Sequence, residues 1–144
     1  MAEQKEKQKT EKIQVICGKR KTAIAKLRIL PGDGKIIYNN LVYTELPLFH
    51  KLAISEPLKI YERELGEPLK YDFSIKTSSG GKEGQIQAAR LALARALVFI
   101  TSSDVLKKAF MKYDKYLLIQ DSRRKETRKP GDSKARARSQ TSYR

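Results

Sequence analysis

The chain has 144 residues, with 31 Lys and Arg against 16 Asp and Glu and a formal net charge of +15 at pH 7. That length allows one domain with a core plus tails and excludes two comfortable domains. The charge calls for a polyanionic partner, and a membrane suits it poorly, because the longest apolar run, Leu91 to Ile100, is interrupted by Arg95 and too short to span.

Residues 1–12 carry four Lys and three Glu, with Ala2 the only apolar residue beyond the initiator. They read as a disordered arm with no secretory leader, and one cysteine, Cys17, excludes an internal disulfide; both fit a cytoplasmic protein. Ile13, Val15 and Cys17 alternate with Gln14, Ile16 and Gly18. After the basic cluster Lys19-Arg20-Lys21, the residues Ala23, Ala25, Leu27 and Ile29 share one strand face, with Lys26 and Arg28 on the other. Pro31-Gly32-Asp33-Gly34 predicts a hairpin into Lys35 to Tyr38. Asn39-Asn40 marks a second turn before a short apolar stretch at Leu41 to Tyr43.

Residues 46–64 predict helix in two pieces, because Pro57 disfavours helix at Glu56. Tyr71, Phe73 and Ile75 alternate with polar residues in a strand running to about Thr77, and Ser78-Ser79-Gly80-Gly81 is its turn. Ile86, Ala89, Leu93, Ala96, Leu97 and Ile100 then repeat at three and four, the clearest helix of the chain. Ser103 is placed to cap a further helix over Asp104 to Tyr113. Leu117, Leu118 and Ile119 suit a last short strand or an anchor. These elements predict an α+β fold, a two-layer α/β sandwich with helices on one face of a mostly antiparallel sheet. The expected division is an arm at 1–12, a globular body at 13–120 and a basic tail at 121–144.

The tail holds nine cations, Arg123, Arg124, Lys125, Arg128, Lys129, Lys134, Arg136, Arg138 and Arg144, against three acids. With no Leu, Ile, Val or Phe, it cannot offset the roughly 1–2 kcal/mol per residue that ordering a backbone costs. It is expected to be an extended strap that takes one conformation only against negative charge. If six of its cations meet phosphates on single-stranded RNA, the log–log salt slope is about −4.

Catalytic constellations are missing from the pattern. His50 and Cys17 are each single of their kind and 33 positions apart, which suits neither a zinc site nor a Cys-His dyad. Glu56, Glu62 and Glu64 do not share a helix face as a general acid/base pair. Gly80-Gly81-Lys82 resembles the end of a phosphate-binding loop, but Lys76 and Glu83 stand where that pattern requires Gly and Ser or Thr. Two readings remain for it: a helix N-terminus that receives an RNA phosphate, or a plain strand-to-helix turn. Lys19-Arg20-Lys21 is read as a phosphate clamp.

Three segments together carry a specific resemblance: GKRKTAIAKLRILPGDGKIIYNN, SSGGKEGQIQAARLALARAL and SRRKETRKPGDSKARARSQTSYR. In order and spacing they resemble the family of the ninth protein of the small ribosomal subunit, over almost all of Ile13 to Arg144. The ending Ser142-Tyr143-Arg144 resembles the archaeal and eukaryotic branch, and the body length resembles the archaeal one. The resemblance implies a left-handed β-α-β crossover in the sandwich, and a structural role in the subunit head on ribosomal RNA beside neighbouring head proteins. It implies no enzyme activity and no cofactor or metal, and neither membrane association nor a stable homo-oligomer is expected.

The resemblance also implies that the tail threads through RNA to the peptidyl-tRNA site, where Arg144 contacts the anticodon stem-loop, next to Ser142 and Tyr143. Tyr143 replaces the Lys of bacterial members and is read either as stacking on a base or ribose or as fixing the tail. The GKRK segment maps to Gly18 to Lys21, and GGxxGQ maps to Gly80, Gly81, Gly84 and Gln85; both are expected to face ribosomal RNA. Twenty-four extended residues span at most about 80 Å, enough for a peripheral body to reach a functional centre. Two other classes fit the composition: a general nucleic-acid packaging protein, and an RNA-processing subunit that helps a catalytic RNA hold its substrate.

Overall fold

The computed structural model describes residues 14–131 and 134–137. Five strands form one sheet: β1 (Gln14–Arg20), β2 (Ala23–Pro31), β3 (Ile36–Tyr38), β4 (Leu41–Val42) and β5 (Tyr71–Ser78), in the order β1-β2-β5-β3-β4. Three α-helices accompany it: α1 (Leu48–Leu65), α2 (Lys82–Thr101) and α3 (Asp104–Tyr113). Short 3-10 turns span Tyr43–Glu45 and Lys115–Leu117. All strand pairs are antiparallel except β3 with β5, which are parallel and joined through α1.

The alternation in β2 and β5 decides which face is inside. Ala23, Ala25, Leu27, Phe73 and Ile75 are buried, whereas Lys26, Arg28 and Lys76 are exposed. The core lies between this inner face and the helices, with α2 at its centre. α2 buries Ala88, Ala89, Ala92, Ala94 and Ala96, and its small side chains let other backbones approach. Gly18 completes that fit, because a Cβ there would lie 2.8 Å from the Ala92 amide nitrogen, so only glycine lets β1 rest on α2.

Two expectations need correction. The turn at residues 31–34 does not fold β3 back onto β2, since β5 lies between them. β5 pairs with β2 along its whole length, from Ile24↔Ser78 to Pro31↔Tyr71, and seats Phe73 and Ile75 in the core, an exchange that a three-residue β3 could not match. Asp72 captures the turn, accepting from the Lys35 amide at 2.8 Å, and β3 continues along the far side of β5. The Asn39-Asn40 turn does make a hairpin, β3 to β4, with φ of 46° and 70° at the two asparagines, as a two-residue turn with left-handed residues requires.

The second correction is that α1 is continuous through Pro57. The lost hydrogen bond and ring clash cost about 3 kcal/mol. Ile54, Leu58, Ile60 and Tyr61 are all buried from the same helix, and at roughly 1.5–3 kcal/mol for each large apolar side chain their burial outweighs that cost. Of the two readings of Leu117 to Ile119, the anchor holds and the strand does not: Leu117, at the end of the 3-10 turn, is buried at 1% exposure. Ser103 caps α3 as expected, accepting from the Leu106 amide.

Candidate nucleic-acid interface

The two-residue connection between β1 and β2 lifts Lys19-Arg20-Lys21 to the tip of a hairpin. Lys19 and Lys21 are exposed, and Lys21 holds a left-handed φ of 53°. Arg20 turns the other way. Its position faces the helix side of the sheet, and its Nη1 lies 2.6 Å from Oδ2 of Asp121, whose side chain is 5% exposed.

Asp121 therefore fixes the first tail residue to the body. Its carboxylate also accepts from the Arg123 amide at 2.8 Å and from Arg123 Nε and Nη2 at 2.9 and 2.7 Å. These bonds, with the charge of Arg20 behind them, hold the carboxyl well below the usual carboxylate range. The guanidinium of Arg123 lies 5.7 Å above the Tyr116 ring centre. Arg95 of α2 secures the approach, donating from Nε to the Leu118 carbonyl at 2.9 Å and from Nη1 to the Cys17 carbonyl at 3.0 Å. Beyond this joint Arg124, Lys125, Arg128, Lys129 and Lys134 are exposed, and among the described residues none of them pairs with a carboxylate. Arg136 reaches Glu126, with Nε 2.9 Å from Oε2. Arg138, Ser142, Tyr143 and Arg144 lie outside the described residues, as does the N-terminal arm.

The glycine turn sits beside the hairpin tip. Gly80 has φ of 70°, and a Cβ on it would lie 2.9 Å from the Ala23 backbone nitrogen, so this glycine is set by close approach. Gln85 closes the turn, donating to the Ser79 carbonyl at 3.0 Å and accepting from the Thr77 hydroxyl at 3.2 Å. Gly81, at the N-cap of α2, has open space around its Cβ position, and no side chain caps the helix there. Gly84 lies near the Arg20 carbonyl. Thus the structure brings Lys19, Lys21, Gly81 and Lys82 to one end of the molecule and uses Gly80 and Gln85 to shape it.

Strand register adds a group that the linear sequence does not display. Lys26 is directly opposite Cys17 on one side and Lys76 on the other, and Arg28 is opposite Val15 and Ser74. All are on the outer face. Three other acids serve as structural partners: Glu56 and Asp114 flank Arg90 at 2.6 and 3.4 Å, and Glu83 meets His50 Nε2 at 3.1 Å. No cluster of three or more His, Cys, Asp or Glu occurs among the described residues, and none of the described helices is long and apolar enough to cross a membrane.

A family model described as ribosomal protein S9/S16 matches residues 18–144. The chain belongs to this ribosomal protein family. It is 39% identical over 138 residues to the small ribosomal subunit protein uS9 of Pyrobaculum aerophilum, covering 95% of each chain. Over 136 residues it is 41% identical to uS9 of Desulfurococcus amylolyticus, covering 92% of this chain and 94% of that one. Both relatives are archaeal, as the ending Ser142-Tyr143-Arg144 and the body length suggested. S9 proteins are structural components not known to be enzymes.

Proposed function

We propose that this chain grips small-subunit ribosomal RNA in the subunit head through its hairpin tip, its glycine turn and its tail, and that the tail's end reaches the peptidyl-site tRNA. The coarser role, a structural small-subunit ribosomal protein of translation, follows from family membership. What supports the finer role is the Asp121 joint. It starts the cation-rich tail beside the basic hairpin tip, so the two most basic segments leave the body from one point. In this reading Lys19 and Lys21 clamp phosphate, while Arg20 positions the tail. Lys82 and the open N-terminus of α2 offer a further phosphate contact at Gly81, and Arg124 to Arg138 follow RNA. Arg144, with Ser142 and Tyr143, meets the tRNA backbone, where a guanidinium can give two N–H bonds to one phosphate. The division into arm, body and tail belongs to the same proposal, as do contacts with neighbouring head proteins and a place in the cytoplasm.

The test is co-sedimentation of the full chain with small subunits at increasing salt. Retention at moderate salt is expected. A chain that leaves the subunits and spreads over any duplex with equal affinity would instead be a general packaging protein, and accumulation of tRNA processing intermediates on depletion would favour the processing subunit.

A further inference from the structure

Among the described residues, the sheet has helices on one face only. On its outer face the register builds two adjoining rows, Cys17–Lys26–Lys76 and Val15–Arg28–Ser74, with Lys19 beyond them at the hairpin end. Lys26, Arg28, Lys76 and Lys19 are exposed, and among the described residues none of the four is in an ion pair. Asp72 is the one acid facing outward from β2 or β5, and its Oδ1 is engaged by the Lys35 amide.

Placing Lys26 directly opposite Lys76 has a consequence for folding. Like charges facing each other across neighbouring strands repel and destabilise the pair. A face shaped for stability alone would offset one of them with a carboxylate. We propose that this outer face is an additional RNA-binding surface, with Lys26 and Lys76 at its centre and the sugar-phosphate backbone as its ligand. A phosphate between the two ammonium groups turns their repulsion into paired attraction and releases counterions. The small side chains of Cys17 and Ser74 keep the centre low, which suits a backbone lying across the strands better than a base inserted into a pocket. Continuity with Lys19 and Lys21 makes the face and the hairpin tip one basic track, and favours RNA over an acidic protein partner.

The inference rests on the RNA-binding role proposed above, and its test separates the two. The full chain and its Lys26→Gln, Lys76→Gln double variant are titrated with a transcript of the small-subunit head RNA at several salt concentrations. The variant is expected to bind roughly tenfold more weakly, with a log–log salt slope shallower by about 1 to 2. Its unfolding midpoint is expected to rise by roughly 1–3 °C, because the like-charge pair is gone. A residue pair with a purely structural role would not give weaker binding together with higher stability. Cys17, the single cysteine, is a built-in reporter in the central row, and RNA should slow its alkylation by maleimide at least severalfold. Unchanged affinity and slope would overturn the proposal, whether or not the variant still enters subunits; failure to enter them would point to an acidic protein on this face. Weaker binding without protection of Cys17 would also overturn it. Wild-type protein that does not bind the transcript at all would defeat the RNA-binding role itself.

Discussion

The Asp121 carboxylate and the Arg20 guanidinium meet at 2.6 Å, joining residues 101 positions apart: the first residue of the tail and the end of the first strand. Because the carboxylate also takes the Arg123 amide and side chain, the tail leaves the body in a set direction. A chain that is expected to thread through RNA benefits from a fixed root, since fewer starting orientations must be lost on binding.

Asp121→Asn is expected to loosen that root and to lower stability in a pH-dependent way. The carboxyl is held below its ordinary value in the folded protein, chiefly by the bonds from Arg123. Its contribution is therefore fully present above the unfolded value, roughly pH 4, and is lost as pH falls through the acid range below it. Urea unfolding from pH 7 to pH 3 should show a gap between wild type and variant that narrows at the acid end. Hydrogen exchange at the Arg123 amide should be faster in the variant, with β1 and β2 unchanged. A gap independent of pH would contradict the assignment.

The two neighbouring glycines of the turn are expected to respond differently. Gly80→Ala meets a positive φ and the Ala23 backbone, and should cost about 1–3 kcal/mol by thermal unfolding. Gly81→Ala has ordinary φ and open space, so its effect should stay within about 0.5 kcal/mol. If Gly81→Ala weakens RNA binding while leaving stability alone, the open N-terminus of α2 is a contact point; equal affinity would make the pair a turn and nothing more.

Pro57→Ala sets two terms against each other. Relief of a proline in a helix interior is worth about 3 kcal/mol, and the two buried methylenes given up cost about 1.6 kcal/mol by area. With some further loss to the cavity left behind, stability is expected to rise by about 1 kcal/mol or less, read by chemical unfolding. Clear destabilisation would show that the packing of Pro57 dominates.

These positions also show what the sequence could reveal. Two-residue alternation at Ala23 to Ile29 and at Tyr71 to Thr77 identified β2 and β5, and the three-four repeat identified α2, because each burial pattern is local. The partner of β3 was not legible, since Asp72 and β5 reach it from some 37 positions away. Pro57 signalled a break, and burial along the rest of α1 overrode it. Asp121 looked like one more charge in a polar tail; its burial depends on Arg20 being folded against it. Lys26 and Lys76 were each visible as outward strand residues, but only the β2–β5 register shows that they are opposite one another.

The proposed tail acts on tRNA at its end and holds ribosomal RNA along the way. The decisive experiment removes Ser139 to Arg144 and measures peptidyl-site tRNA affinity of the resulting small subunits. Assembly is expected to be nearly intact and tRNA binding weaker. Unchanged tRNA affinity across several magnesium and salt levels would contradict the account.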